Sequence, residues 1–462
     1  MKVIEFNKKG SITVFLCLMI CIFLVFINSV YYSSIVQVTK SYKRTEETLA
    51  LQSVFAEYQK EILEHYDIFT LDGSYGKKKD ITDEICKRLD FYGSNSTKVN
   101  IKELQLLTDN GGAAFIDQII NYMEHKYGIQ YLVKKQKKYT QSNENNQSKQ
   151  IEYAGKEVEK KQNELSLETS SSDGTSSSVT NYITEVKKQD GDGIMIPKKY
   201  SISPNAVEIS TMPSHRNLNK GIGTSITRNI SEIQKKTYIC EYIYEKFQAA
   251  QLKEESLQFS NVLEYQLEYI IEGNNSDEKN LKGVLYKLVA LRLAPNYTCL
   301  LTSKVKQAEV TTLATTIATA ATVPYLAPLF KQSILVAWAY GESLLDVKSL
   351  VKGEKVEIVK REKDWKLDSS MILELNKVSD TSSNVTNKKG LSYKEYLRSL
   401  LYLIPSDKAV MRALDLIENQ VVYKYNNKDF QIDYCVNRIK YECTYKIKNK
   451  YTYQFPVEFM YS

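Results

Sequence analysis

Histidine is nearly missing from this chain, with three residues in 462: His65, His125 and His215. None stands in HExxH spacing, so that helix-borne zinc site is not encoded. No GxSxG turn and no GxxxxGK[ST] loop occurs, which removes the serine-hydrolase elbow and the phosphate-cradling loop. Gly221-Ile222-Gly223 lacks the preceding strand and the third glycine of a dinucleotide fingerprint. Asp190-Gly191-Asp192-Gly193 is half a calcium loop with no glutamate to complete it. These gaps point to a protein without catalytic residues, cofactor or metal. The seven cysteines contain no CxxC pair. Cys17 and Cys21 lie in an apolar run, and the other five (Cys86, Cys240, Cys299, Cys435, Cys443) are odd in number, so no disulfide framework is expected. Arg-rich, aromatic-interleaved patches are also missing. The net charge of +7, from 62 basic and 55 acidic residues, therefore reads as a solvated lysine-rich surface, not as a nucleic-acid footprint.

Charge is missing altogether from Ile12 to Val38, and neither Pro nor Gly falls between Ser11 and Asp72. A spanning helix needs ~20 apolar residues, so 11–38 reads as a transmembrane helix continuing as one rod to about Tyr66. In 39–76, Leu51, Val54, Phe55, Tyr58, Ile62 and Tyr66 recur at three or four residues and form an apolar stripe. Stalk packing is assigned to Leu51, Val54, Phe55, Tyr58 and Ile62. A cleaved secretory signal would want small residues at the cut, and Ser29-Val30-Tyr31 offers a poor site. A lipoprotein signal would not place Ile20 before Cys21. A retained anchor fits best. Lys2, Lys8 and Lys9 before the segment balance Lys40, Lys43 and Arg44 after it, so the positive-inside rule sets no orientation.

The junction Lys8-Lys9-Gly10-Ser11-Ile12-Thr13-Val14-Phe15 resembles the leader of type IV pilin-like proteins, most closely the minor pseudopilins of Tad-type systems. The resemblance implies a cytoplasmic leader over 1–10 and prepilin-type cleavage between Gly10 and Ser11. Those helices carry glutamate at the fifth mature position, where this chain has Phe15. Leu49-Ala50-Leu51-Gln52-Ser53-Val54-Phe55-Ala56-Glu57-Tyr58, His65 to Gly76, Ala337-Trp338-Ala339-Tyr340-Gly341-Glu342-Ser343-Leu344-Leu345-Asp346-Val347 and the Trp365 region resemble an uncharacterised family of single-pass surface proteins of Gram-positive anaerobes. That resemblance implies an extracellular bulk, a place in the cell membrane, and pilin-like or secretion-system proteins as company.

Beyond the stalk, 77–138 reads as a helical part of the outer domain, with helices at Ile81–Leu89 and Ala113–Lys138. Residues 139–200 are rich in Ser, Thr, Asn, Gln, Lys and Glu and read as a disordered insertion. Residues 201–462 read as an α+β outer domain. A helix is expected over 226–250, and alternation of Leu263, Tyr265, Leu267 and Tyr269 with polar residues predicts a strand. Asn274 to Asp277 would cap a helix ending near Pro295. The uncharged 310–330 is long enough to consider as a second span. Its threonines and two prolines favour a close-packed core helix ending at Val323, then a helix from Pro328 to Lys352. Glu342 and Asp346 share a helix face and read as solvated charges in preference to an acid–base pair. Val356 and Ile358 suggest a short strand, Pro405 separates two helices, and 439–460 reads as a hairpin with Pro456 at an edge.

The whole predicts an α+β head of helices and a small antiparallel sheet on a long transmembrane and stalk helix. The expected function is a non-enzymatic, membrane-anchored extracellular structural or interaction protein, a minor pseudopilin-like component of a Tad-type pilus or secretion system. Its expected partners are membrane lipid and pilin-like or secretion-system proteins. The alternative is a membrane-tethered extracellular hydrolase with an unlocated site.

Overall fold

The computed structural model describes residues 8–128, 191–252, 261–375, 390–447 and 451–461, less positions 79, 95, 97, 225–227, 229, 321 and 373. The fold is α+β. The chain divides into two compact units: Met1–Gln118, Leu218–Thr227 and Asp429–Ser462 form the first, and Ile119–Asn217 and Arg228–Lys428 the second. The C-terminal hairpin therefore belongs with the N-terminal residues.

The first unit begins with helix α1, Lys8–Phe55, 48 residues long, or ~72 Å at ~1.5 Å per residue. The continuous rod to Tyr66 is corrected here: α1 stops at Phe55 and α2 restarts over Lys60–Tyr66. No breaker in the sequence marks the stop. In an unbroken helix the Gln59 N–H would bond the Phe55 carbonyl. Instead Gln59 N–H donates to the Thr70 carbonyl at 2.8 Å, and the Phe55 carbonyl accepts the Tyr461 hydroxyl. Partners from distant sequence outcompete the local ladder.

Four strands follow: β1 Leu71–Asp72, β2 Lys98–Leu106, β3 Cys435–Ile447 and β4 Tyr451–Met460, with helix α3 at Ile81–Phe91 between β1 and β2. All pairings are antiparallel, and β3 is central. β2 runs along one edge of β3, while β1 and β4 share the other. Pro456 sits in β4, which pairs only with β3, as an edge strand allows. The sequence reading has no strand at β2. Register shifts at Ile101/Glu103 and Gln105/Leu106 interrupt its period of two, so the alternation that reveals a strand is lost. Leu51, Val54 and Phe55 of α1, Ile85 and Leu89 of α3, and Ile439, Tyr441 and Cys443 of β3 form one core.

Helix α4, Asp109–Tyr127, opens with Asn110, Gly111 and Gly112 at positive φ and is regular beyond them; residues after Gly128 expected to extend it lie outside the described residues. So does 139–190 of the insertion. Residues 191–200 do not read as disordered: α5, Gly191–Met195, buries Ile194 and Met195.

In the second unit, α6 is Glu232–Lys246, α7 Gln266–Glu272, α8 Asp277–Thr302, α9 Lys304–Ala320, α10 Ala327–Val351, α11 Tyr393–Leu401 and α12 Ser406–Asn419. The strand expected at 263–269 does not form: 263–265 lead into α7 and 266–269 begin it. Alternation misled because two of the polar members, Gln266 and Glu268, are buried too. Gln266 accepts the Gln248 N–H at 3.0 Å and Glu268 the Ala250 N–H at 2.9 Å. Asp277 takes the N–H groups of Glu264 and Tyr265, and Gly273 at φ +78° ends the helix. α8 passes through Pro295 instead of ending there. An interior proline costs ~3 kcal/mol, which burial of Leu288, Val289, Tyr297 and Leu300 offsets. In α9 only Val310, Ala314 and Ala318 are buried, so it is a one-faced surface helix, not a close-packed core helix. Its exposed threonines return their hydroxyls to carbonyls one turn back, as Thr311, Thr315 and Thr319 do. Val356 forms only an isolated bridge to Leu391.

Candidate functional site

One helix among the described residues is long and apolar enough to cross a membrane, and its most apolar window is wholly exposed. That helix is α1. Every side chain from Ile12 to Tyr31 is exposed, whereas from Glu47 onward the helix buries one face. Of the sequence-assigned stalk residues, Leu51, Val54 and Phe55 enter the sheet core. Ile62 is buried on α2, and Tyr58, in the break, stays 38% exposed with its ring edge-on to Phe69 at 5.4 Å. Gly10 and Ser11 lie within the helical backbone that starts at Lys8.

The junction holds a residue the sequence reading passed over. Glu47 lies one turn before Leu51 on the same face and is fully buried. Its carboxyl accepts hydroxyls from Ser94 at 2.6 Å, from Tyr441 at 3.0 Å and from Tyr445. Burial, and then the charge of Glu47, push the Tyr441 hydroxyl well above the usual tyrosine range. A lone acid on an apolar helix face was the available signal, because such a group needs partners from elsewhere. On its N-terminal side, Lys40 and Lys43 lie over the rings of Tyr453 and Tyr445, at 5.0 and 5.1 Å. Arg44 donates to the Tyr453 hydroxyl at 3.1 Å.

The second unit holds a buried ion cluster. Glu342 and Asp346 on α10, 0% and 1% exposed, are not the solvated charges expected. Asp346 Oδ2 accepts Arg292 Nη2 at 3.0 Å and Asn296 Nδ2 at 3.1 Å, and Oδ1 accepts Lys360 Nζ at 2.7 Å. Glu342 takes Lys360 Nζ at 2.5 Å and the Leu367 N–H at 2.7 Å. Burial opposes ionisation of Asp346, but Lys360 and Arg292 outweigh it and hold the carboxyl low. At Glu342 burial wins over Lys360, and the carboxyl is raised. Four-residue spacing could place two acids on one face; the cations came from 54 residues before Asp346 and 14 after. Nearby, Trp338 and Trp365 both donate to the Leu367 carbonyl at 2.8 Å. The cluster pins residues 357–367 to α8 and α10.

Ser214, His215 and Asp415 have the residue types of a hydrolase triad in the wrong order. Ser214 Oγ lies between the ring, 2.8 Å from Nδ1, and the acid, 2.5 Å from Oδ2. Asp415 also accepts the Ser214 N–H and the Tyr269 hydroxyl, each at 2.8 Å. The histidine is not held by the acid, as base catalysis requires. The contacts tie a loop to α12. No group of three or more metal-ligating side chains stands together among the described residues.

Glu268 is buried completely, and its Oε2 has no partner among the described residues. Oε1 accepts the Tyr393 hydroxyl at 2.8 Å. Burial raises its carboxyl from 4.5 to about 7. Between those values the unfolded chain gives up its proton first, so stability falls as pH rises, by roughly 3 kcal/mol in all, and is level above about pH 7. Glu268→Gln is expected to remove this fall. Urea midpoints at pH 5 and pH 8 should converge, and above pH 7 the variant should be the more stable protein.

A model of a family of unknown function, DUF5702, matches residues 169–447, more than half of the chain. The match takes in the ion cluster and β3 but not α1. No curated protein and no solved structure matches the chain. The chain belongs to the DUF5702 family of unknown function.

Proposed function

We propose that this is a single-pass membrane protein whose bulk lies outside the cell and acts by binding other envelope components, not by catalysis. The observation that carries the reading is α1: a bare apolar stretch of spanning length that runs without a break into a helix docked on a folded sheet. Burial of each Leu51-sized side chain contributes ~1.5–3 kcal/mol, so the head is fastened to its anchor by core packing. The buried polar clusters join one segment of the chain to another, which suits a supporting role. The finer reading is a minor pseudopilin-like component of a Tad-type pilus or secretion system. It rests on the Gly10-Ser11 junction, and Phe15 in place of glutamate marks its departure from that pattern.

The expected outcome in cells is that the protein stays with membranes through an alkaline carbonate wash, that added protease digests the head in intact cells, and that deleting residues 1–38 releases it. Recovery of the full chain in the soluble cytosol would overturn the anchor. N-terminal sequencing tests the finer reading: Ser11 as first residue supports prepilin-type processing, whereas Met1 rejects it.

A further inference from the structure

The end of the sheet where β3 meets β4 stands against the first charged residues after the uncharged run of α1. We infer that this end of the first unit is a docking surface for anionic lipid headgroups, placed against the membrane by α1. The inference rests on the membrane-anchored reading and adds a surface to it.

The argument is first one of height. The uncharged run of α1 ends at Val38, and Lys40 is two residues on, ~3 Å along the axis, with Arg44 ~9 Å along it. Lys40 and Arg44 touch Tyr453 of β4, and Lys43 covers Tyr445 of β3. Lower still, Ile35 and Val36 are half-buried, although every side chain from Ile12 to Tyr31 is exposed. The covered part of α1 thus reaches down to the last turns of the uncharged run. A helix that spans the bilayer over 11–38 leaves this edge no room to stand away from the headgroups.

Charge is the second part. In β-sheet register Lys446 opposes Thr452, and Lys98 opposes Thr444, so both lysines lie at this same end, and both are exposed. Two of its acids are already paired with cations, Glu46 with Lys43 at 2.6 Å and Glu442 with Lys102 at 3.3 Å, and Glu47 is buried beneath three hydroxyls. Among the described residues no carboxylate lies within ion-pair distance of Lys40, Arg44, Lys98 or Lys446. Four cations within a Debye length of a surface suit phosphatidylglycerol-like headgroups. Tyr42, exposed, and Tyr453, partly so, are amphipathic rings of the kind that settle at such an interface.

The test uses the full chain in nanodiscs of phosphatidylcholine with or without phosphatidylglycerol. A nitroxide is placed at Thr452→Cys or, at the other end of β4, at Met460→Cys, with Cys17→Ser, Cys21→Ser and Cys86→Ser. At Thr452, access of a water-soluble nickel complex should fall severalfold relative to Met460 when phosphatidylglycerol is present. Lys98→Glu with Lys446→Glu should abolish that fall. Equal access at both positions in a protein that has inserted would overturn the inference and leave the anchor standing. Protection that ignores lipid charge and both reversals would overturn the headgroup assignment. Failure to enter any nanodisc would instead count against the anchor itself.

Discussion

Asp346→Asn is expected to lower the stability of the second unit by about 3–5 kcal/mol. Arg292, Lys360, Glu342 and Asp346 make a neutral buried set. Asparagine leaves one buried positive charge without a counterpart and turns one accepting oxygen into a donor that faces cations. Arg292 would keep only the carbonyls of Glu357 and Ile358, each at 2.9 Å, with the hydroxyl of Tyr396 and the side chain of Asn296. Glu342→Gln should cost less, because burial opposes its charge and lifts its carboxyl, and it pairs with Lys360 alone whereas Asp346 pairs with both cations. The chain's two tryptophans, Trp338 and Trp365, both lie in this unit, their rings 5.5 Å apart. Tryptophan emission during urea unfolding in detergent micelles therefore reads the second unit alone. A midpoint unchanged by Asp346→Asn would refute the account of the cluster.

Glu47→Ala should have the opposite address. Three hydroxyls lose one acceptor, and all three, on Tyr441, Tyr445 and Ser94, belong to buried residues. At ~1–3 kcal/mol for each buried group left unpaired, and with incomplete additivity, the loss should be about 3–5 kcal/mol. It should appear as faster amide exchange in β3 and β4 and as protease cutting near the end of α1, with the tryptophan transition unmoved. Glu47→Gln keeps one accepting oxygen and should lose roughly half as much. If alanine left strand exchange unchanged, the carboxyl would be a bystander at the junction.

Much of the fold was legible where one local pattern decided the outcome. The charge-free run of α1, the helix from Ile81, the proline between α11 and α12, and the hairpin at 439–460 all follow from periods and breakers. The sequence failed where distant partners decided. Nothing local ends α1 at Phe55; Tyr461 and Thr70 do. Glu268 and Gln266 looked like an exposed strand face because burying them needs acceptor geometry that spacing does not record. Glu342 and Asp346 were seen as a pair, yet their meaning depends on Arg292 and Lys360, which no spacing rule connects to them. Glu47 was visible as an acid on an apolar face, but its three donors lie 47, 394 and 398 positions away.

The central position of β3 sets an order of events for synthesis. Every partner of that strand but β4 leaves the ribosome hundreds of residues earlier, and the second unit is contained wholly between them. The second unit can close while the chain is still growing, whereas the segment just past the uncharged run of α1 must wait, its apolar stripe uncovered, until β3 and β4 are made. A premature stop before Cys435 would thus spare the larger unit and ruin the smaller one, and it would leave a product with a sticky neck that quality-control proteases would find first.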